Sequence, residues 1–296
     1  MTTSRERLGL LLGFAATCGF SSTVPVTRLA VDSLDPLFLT AARASIAGVV
    51  ALAVLLVLRR KPPPRETWVT LAVTAFCVLV AYPACLALGL RYVPASHGGV
   101  VLGILPLAVA ATAALFGYER PSIGFWLASA AGALIVIGFV LRHGDGAGFG
   151  VGIGDLLLFG VVISGAVAYT LSGRLSIDMP GWEVITWQLA LFLPVSVTAA
   201  VLLWPAEPAA VPITGWMALL WVSFVGQYFS FIANNFGMAM GGVARVGQLM
   251  LLQPFLVLLI AIPVNGERFD WETLLFASAV VAAVIAGQRM RVVRKY

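Results

Sequence analysis

Charge is what this sequence has least of. Only 10% of its 296 residues are Asp, Glu, Lys or Arg and 60% are hydrophobic, whereas a soluble globular domain carries roughly 25% charged residues. With a mean hydropathy of +1.00, a water-soluble fold is excluded. Cysteine is almost as scarce: Cys18, Cys77 and Cys85 sit inside apolar stretches without CxxC spacing, so neither a disulfide framework nor a thiolate metal site is expected. The two histidines, His97 and His143, lie in separate loops, and no HExxH or GxSxG run occurs. No Asp or Glu falls in the middle of an apolar run; the nearest, Asp155 and Glu183, stand at run starts. Hydrolysis needs a nucleophile with a base, a metal cluster or paired carboxylates, so an enzyme is not expected, and no cofactor or metal is implied.

What the chain has in abundance is long apolar runs. A bilayer crossing takes roughly 20 apolar residues, and charged or Pro/Gly punctuation divides the sequence into ten: Leu8 to Val31, Leu37 to Leu58, Trp68 to Leu90, Gly98 to Phe116, Ile123 to Leu141, Gly154 to Ser172, Trp182 to Trp204, Ile213 to Phe236, Gly242 to Pro263 and Trp271 to Gln288. The first run follows a basic start but no small-residue cleavage pattern, so it reads as an uncleaved helix. The expectation is an all-α polytopic membrane protein of ten transmembrane helices, with the lipid bilayer as its solvent. Trp68, Trp126, Trp182, Trp204, Trp216 and Trp271 cluster at run ends, where amphipathic rings anchor at the interface.

The net charge of +5 does not describe a nucleic-acid surface, because the cations are spread over loops and ends. An N-terminus in the cytoplasm puts twelve of the 18 Lys and Arg residues on that side and only Arg91, Arg142 and Arg268 on the other, with Arg28, Arg43 and Arg245 within or at the ends of spans. The positive-inside rule therefore places both termini in the cytoplasm.

The chain repeats itself. An offset of 148, half of 296, pairs Gly89 with Gly237, Gly99 with Gly247, Pro106 with Pro254, Glu119 with Glu267 and Arg120 with Arg268. Near the start an offset two residues shorter pairs Gly19 with Gly165, Arg28 with Arg174 and Asp32 with Asp178. Residues 1–148 and 149–296 read as two five-helix copies. Five is odd, so the second copy enters the membrane inverted, and two such bundles can exchange conformations about a central midplane cavity.

The segment CGFSSTVPVTRLAVDSLDPLFLTAARASIAGVVALAVLL, Cys18 to Leu56, with Gly19, Pro25, Pro36 and Arg43, resembles the opening of an EamA-type repeat. NGERFDW and GYERPSIGFW are similar to its closing Gly-x-Glu or Gly-Glu element. The resemblance covers essentially the whole chain and implies the drug/metabolite transporter superfamily in a bacterial inner membrane. The ten-helix pattern is most similar to amino acid exporters, including the aromatic amino acid exporters of the YddG type, which implies Phe, Tyr, Trp and Met as cargo. A drug or lipid-like amphiphile exporter is the alternative on the same fold. The second copy departs from the first in carrying Gln188 and Leu189 where the first has Arg43.

Mid-span amides and hydroxyls are the pointers to a small-molecule site, since unsatisfied polar groups are costly in lipid. In the eighth span Ser223, Gln227, Ser230 and Asn234, at spacings of four, three and four, form one stripe on an ideal helix. Its uses are cavity lining or interhelical hydrogen bonding. Gln253 lies beside Pro254 in the ninth span, with Gln248 and Arg245 nearer its loop. Ser22, with Ser21, Thr23 and Pro25, makes a polar kink whose repeat partner holds Ser164, Gly165 and Tyr169; a gate and ordinary back-bonding to the helix both fit. Tyr82 and Tyr169 are the rings placed to stack on an aromatic ligand. Gly98, Gly99 and Gly103, like Gly124, Ala128, Gly132 and Ala279, Ala283, Gly287, are small enough for close helix packing or a dimer contact, giving a monomer or weak homodimer. Without mid-span cation clusters or carboxylates, the cavity is expected to be neutral and transport to be uniport or exchange, His97 being the only titratable alternative nearby.

Overall fold

The computed structural model describes residues 4–117, 119–143, 151–241, 246, 249–290 and 292–294, so Arg245 and Gln248 lie outside the described residues. Ten apolar helices follow one another: α1 Ser4–Val31, α2 Pro36–Val57, α3 Arg65–Gly89, α4 Ala95–Leu115, α5 Ile123–Arg142, α6 Ile153–Leu175, α7 Gly181–Leu202, α8 Ile213–Gly241, α9 Met250–Asn265 and α10 Trp271–Arg289. Among the described residues α9 alone is shorter than a full crossing. The chain is a multi-pass membrane protein.

Local chemistry sets the helix ends. Asp35 caps α2, its Oδ1 accepting from the N–H groups of Leu37 at 2.8 Å and Phe38 at 3.1 Å, with Pro36 in the first turn where no donor is needed. Asp270 does the same for α10, accepting from Glu272 N and Thr273 N. Gly266, with φ of 68°, closes α9 in the left-handed region that glycine occupies without a Cβ penalty. Its N–H reaches Ile262 O at 3.0 Å, the bond of an αL helix end, and the next residue's N–H reaches Ala261 O.

The duplication is visible in the irregularities. α3 contains a π turn over Cys77–Ala81 and α8 a longer one over Val222–Phe229; at the offset of half the chain, the first falls inside the second. α4 breaks at Gly103 and Ile104, between helical segments Ala95–Leu102 and Leu105–Leu115, and α9 opens with a 3-10 turn over Met250–Leu252 at the equivalent place. Both breaks precede a proline, Pro106 or Pro254, which has no N–H to give the carbonyl four residues earlier. Residues Glu119–Pro121 and Val292–Arg294 add a three-residue antiparallel pairing to the otherwise helical chain. It ties the α4–α5 connection to the C-terminal segment.

Glycine lets the helices approach. A Cβ at Gly9 of α1 would fall into the backbone of Gly241 in α8. The small-residue stripes of α5 and α10 face each other: a Cβ at Gly132 would lie 3.5 Å from that of Ala283, and one at Gly287 3.6 Å from that of Ala128. At the end away from the termini, Phe38, Trp204 and Trp216 form a ring cluster with centroids 5.6 to 6.2 Å apart. Cys18, Cys77 and Cys85 are free thiols.

Candidate functional site: a cavity between the two copies

The inner faces of α1, α2, α3 and α4 from the first copy and α6, α8, α9 and α10 from the second enclose a cavity with about 970 Å³ of empty space, including the part open to solvent. Its wall follows the repeat. At the offset of half the chain, Val78 pairs with Gly226, Leu102 with Met250, Gly103 with Leu251, Leu105 with Gln253 and Pro106 with Pro254, and all ten residues line it. The repeated segments thus supply paired positions to the cavity wall, and the π turns and proline breaks contribute residues to it.

Of the residues singled out from sequence, Tyr82, Tyr169, Gln227 and Gln253 line the cavity. Rings make one side of it: Phe20 meets Phe231 edge to face at 4.9 Å, and Tyr169 stacks on Phe231 at 6.3 Å. Tyr82 lies over Gly165, whose missing side chain admits the ring, since a Cβ there would stand 3.1 Å from Tyr82 Cδ2.

The stripe along α8 does not hold. Its spacing presumed 3.6 residues per turn, but the π turn over Val222–Phe229 changes the phase. Gln227 and Gly226 are left facing the cavity, while Ser223, Ser230 and Asn234 do not line it. Ser223 Oγ donates to Leu219 O at 2.6 Å within its own helix. The Ser230 side chain packs onto Gly19 of α1. Asn234 donates to Met238 Sδ at 3.9 Å, with its Oδ1 buried and unpaired.

Two further serines are also removed from the wall. Ser22 Oγ donates to Gly19 O at 2.7 Å and accepts from Trp221 Nε1 at 2.9 Å, so its neighbours Ser21 and Thr23 line the cavity instead. Ser164 bonds Gly160 O at 2.7 Å, leaving Gly165 on the wall. In each case back-bonding to the helix consumed the hydroxyl. Gln248 lies outside the described residues.

The expectation of a neutral cavity is corrected by Arg43. This residue of α2 is only 4% exposed and its guanidinium reaches the cavity. Its Nε is buried without a hydrogen-bond partner. Gly226 makes the room: a Cβ there would stand 2.6 Å from Thr23 Oγ1 and 3.4 Å from Arg43 Nη2. The signal was present, because an ionisable residue inside a span marks function by default, but its place one third of the way along an apolar run was counted with the span ends. At the repeat-equivalent place Leu189 is fully buried, and its neighbour Gln188 donates to Thr74 Oγ1 at 2.8 Å and Ser172 Oγ at 3.2 Å. The cation belongs to one copy only.

The end away from the termini is fastened by buried acids that the sequence left unassigned. Asp155, fully buried, lies 2.7 Å from His97 Nε2 and also accepts from Gly152 N at 3.0 Å. His97 is therefore held at a helix junction, its ring 4.7 Å from that of Phe139, rather than loose at a loop end. Asn265 Nδ2 donates to Pro25 O at 3.1 Å, tying α9 to the kink of α1.

Apolar helices of two sequence repeats enclosing a shared cavity define the architecture of a membrane carrier. The chain belongs to the EamA-like transporter family, whose model matches residues 7–141 and again 152–286. It is similar to the uncharacterized transporter YdeK of Bacillus subtilis (strain 168), with 38% identity over 281 residues, covering 95% of this chain and 97% of that protein. Among solved structures it superposes on the crystal structure of a protein with a TM-score of 0.62 and 23% identity, over 95% of this chain and 98% of the other, a likeness that shows the fold alone.

Proposed function

We propose that this transporter exports small organic metabolites, amino acids foremost and the aromatic ones and methionine first among them, by alternating access across a bacterial inner membrane with both termini in the cytoplasm. The observation that carries this reading is that rings and amides line the same cavity: Phe20, Tyr169 and Phe231 with Gln227 and Gln253. A site that takes a ring and orients a polar head needs that combination. No Asp or Glu is among the described residues lining the cavity, so uniport or exchange is the mode, with no carboxylate relay to carry a proton.

Proteoliposomes loaded with labelled amino acids test it. Saturable efflux of Phe, Tyr, Trp or Met is expected with and without an imposed pH gradient, reduced in Gln227→Ala and Gln253→Ala. Folded, monodisperse protein that moves no amino acid contradicts the substrate class and brings drugs and lipid-like amphiphiles forward. Flux strictly dependent on the pH gradient contradicts the uniport or exchange mode.

A further inference from the structure

We propose that Arg43 is the receptor for a substrate carboxylate, so that the cargo presents a carboxyl group to this cavity and is neither a simple amine nor a neutral amphiphile. The inference rests on reading the central cavity as the substrate site. It goes further by naming the group that every cargo must carry.

The argument is one of electrostatic accounting. Arg43 stays charged at any physiological pH, is 4% exposed, and makes no hydrogen bond or ion pair with any of the described residues; its Nε is buried with no partner. No Asp or Glu among the described residues lines the cavity it reaches. An uncompensated buried cation is strongly unfavourable, and sequences remove it or pair it. Here it is neither removed nor paired by any described residue, whereas the equivalent place in the second copy holds the buried Leu189. The missing partner is an anion that arrives with the cargo.

The chemistry of the anion follows from the donor set. A guanidinium presents two parallel N–H groups that match a carboxylate. Gly226 leaves space at Nη2, and the Tyr82 hydroxyl and Gln227 amide on the same wall add uncharged donors. A phosphate dianion needs several converging cations, and no second Lys or Arg is among the described lining residues. An amine meets an unpaired positive charge and is repelled. A zwitterionic amino acid fits through its carboxyl group, its ammonium taken by carbonyls or hydroxyls.

The test compares three small probes on the purified protein in detergent, by calorimetry or a thermal-shift titration: L-phenylalanine, 3-phenylpropanoate, which lacks the ammonium, and 2-phenylethylamine, which lacks the carboxylate. Wild type is expected to bind both acids and to bind the amine at least about tenfold more weakly, the loss of a charge-assisted pair. Arg43→Gln is expected to lose at least about tenfold in affinity for both acids and Arg43→Lys less, because lysine keeps the charge without the fork. The acid-against-amine comparison needs no variant, so a poorly folding Arg43→Gln leaves the proposal testable. Equal binding of acid and amine, binding of the acids by Arg43→Gln within twofold of wild type, or no binding of either acid to wild type would overturn it. Arg43-dependent binding of 3-phenylpropanoate without amino acid flux sinks the export reading alone. Saturable phenylalanine flux that is unchanged in Arg43→Gln sinks the receptor alone.

Discussion

The carboxylate of Glu267 accepts hydrogen bonds from the backbone N–H groups of Ala95 at 2.6 Å and Ser96 at 3.0 Å, so the loop before α10 caps the first turn of α4. Pro94 at the cap of that helix makes no side-chain cap hydrogen bond. An acid at a helix N-terminus meets both the orphan donors and the positive end of the dipole. This gives a physical role to the acidic residue of the NGERFDW motif: Gly266 ends α9, and Glu267 then joins the second copy to the first. Glu267→Gln keeps one acceptor and loses the charge, and is expected to lower stability by about 1–2 kcal/mol. Thermal unfolding in detergent measures it; an unchanged melting temperature contradicts the cap.

His97 and Asp155 form the second tie at that end, both buried and 2.7 Å apart. Asp155→Ala removes the contact of His97 Nε2 and the acceptor for Gly152 N, and is expected to destabilise by about 2–4 kcal/mol, the usual cost of breaking a buried polar contact. Asp155→Asn retains an acceptor and is expected to lose less. If the two variants melt together, the charge and not the hydrogen bonding is what matters at this junction.

Gln188 bridges α3, α6 and α7 through Thr74 and Ser172. Thr74 Oγ1 also bonds Thr70 O at 2.8 Å, within its own helix. Interhelical side-chain bonds in membranes are worth on average about 0.6 kcal/mol when the hydroxyls have alternatives. Gln188→Leu is therefore expected to cost less than about 1 kcal/mol and to leave flux intact. A large loss of flux at unchanged stability would put Gln188 in the transport path.

Gly9 and Gly241 let α1 and α8 touch backbone to backbone at the end that carries the termini. Gly9→Leu forces a side chain into that contact and is expected to cost about 1–3 kcal/mol, the usual range for overpacking. Cysteines introduced beside the cavity should label faster from that end as the helices are wedged apart. Unaltered labelling would contradict a role for this contact in holding the two helices together.

Spans and duplication were legible because they rest on hydropathy and on a few rare residue types. Pro106 and Pro254, thirteen residues before Glu119 and Glu267, survive as spaced landmarks in so apolar a chain. The lining residues were half legible. Tyr82, Tyr169, Gln227 and Gln253 stand out as polar or aromatic groups at mid-span, and all reach the cavity. Ser223, Ser230 and Asn234 were drawn in by a helical period that the π turn of α8 does not keep, and no residue in Val222–Phe229 announces that turn. Ser22 and Ser164 were misplaced for a different reason, since a serine that bonds its own helix looks the same in sequence as one that waits for a ligand. Arg43 is visible in the sequence, but its meaning depends on the absence of an acid among the described residues lining the cavity, which becomes apparent only when α1, α3 and α8 are brought against α2.

The central claim, that cargo passes through the cavity between the two copies, is tested most directly by counterflow of labelled L-phenylalanine in proteoliposomes, comparing wild type with Ala168→Trp, which puts a large ring at a position lining the cavity. The account predicts saturable counterflow for wild type and its loss in Ala168→Trp while the protein remains monodisperse and inserted. Counterflow persisting at the wild-type rate in folded Ala168→Trp would contradict it and place the path elsewhere.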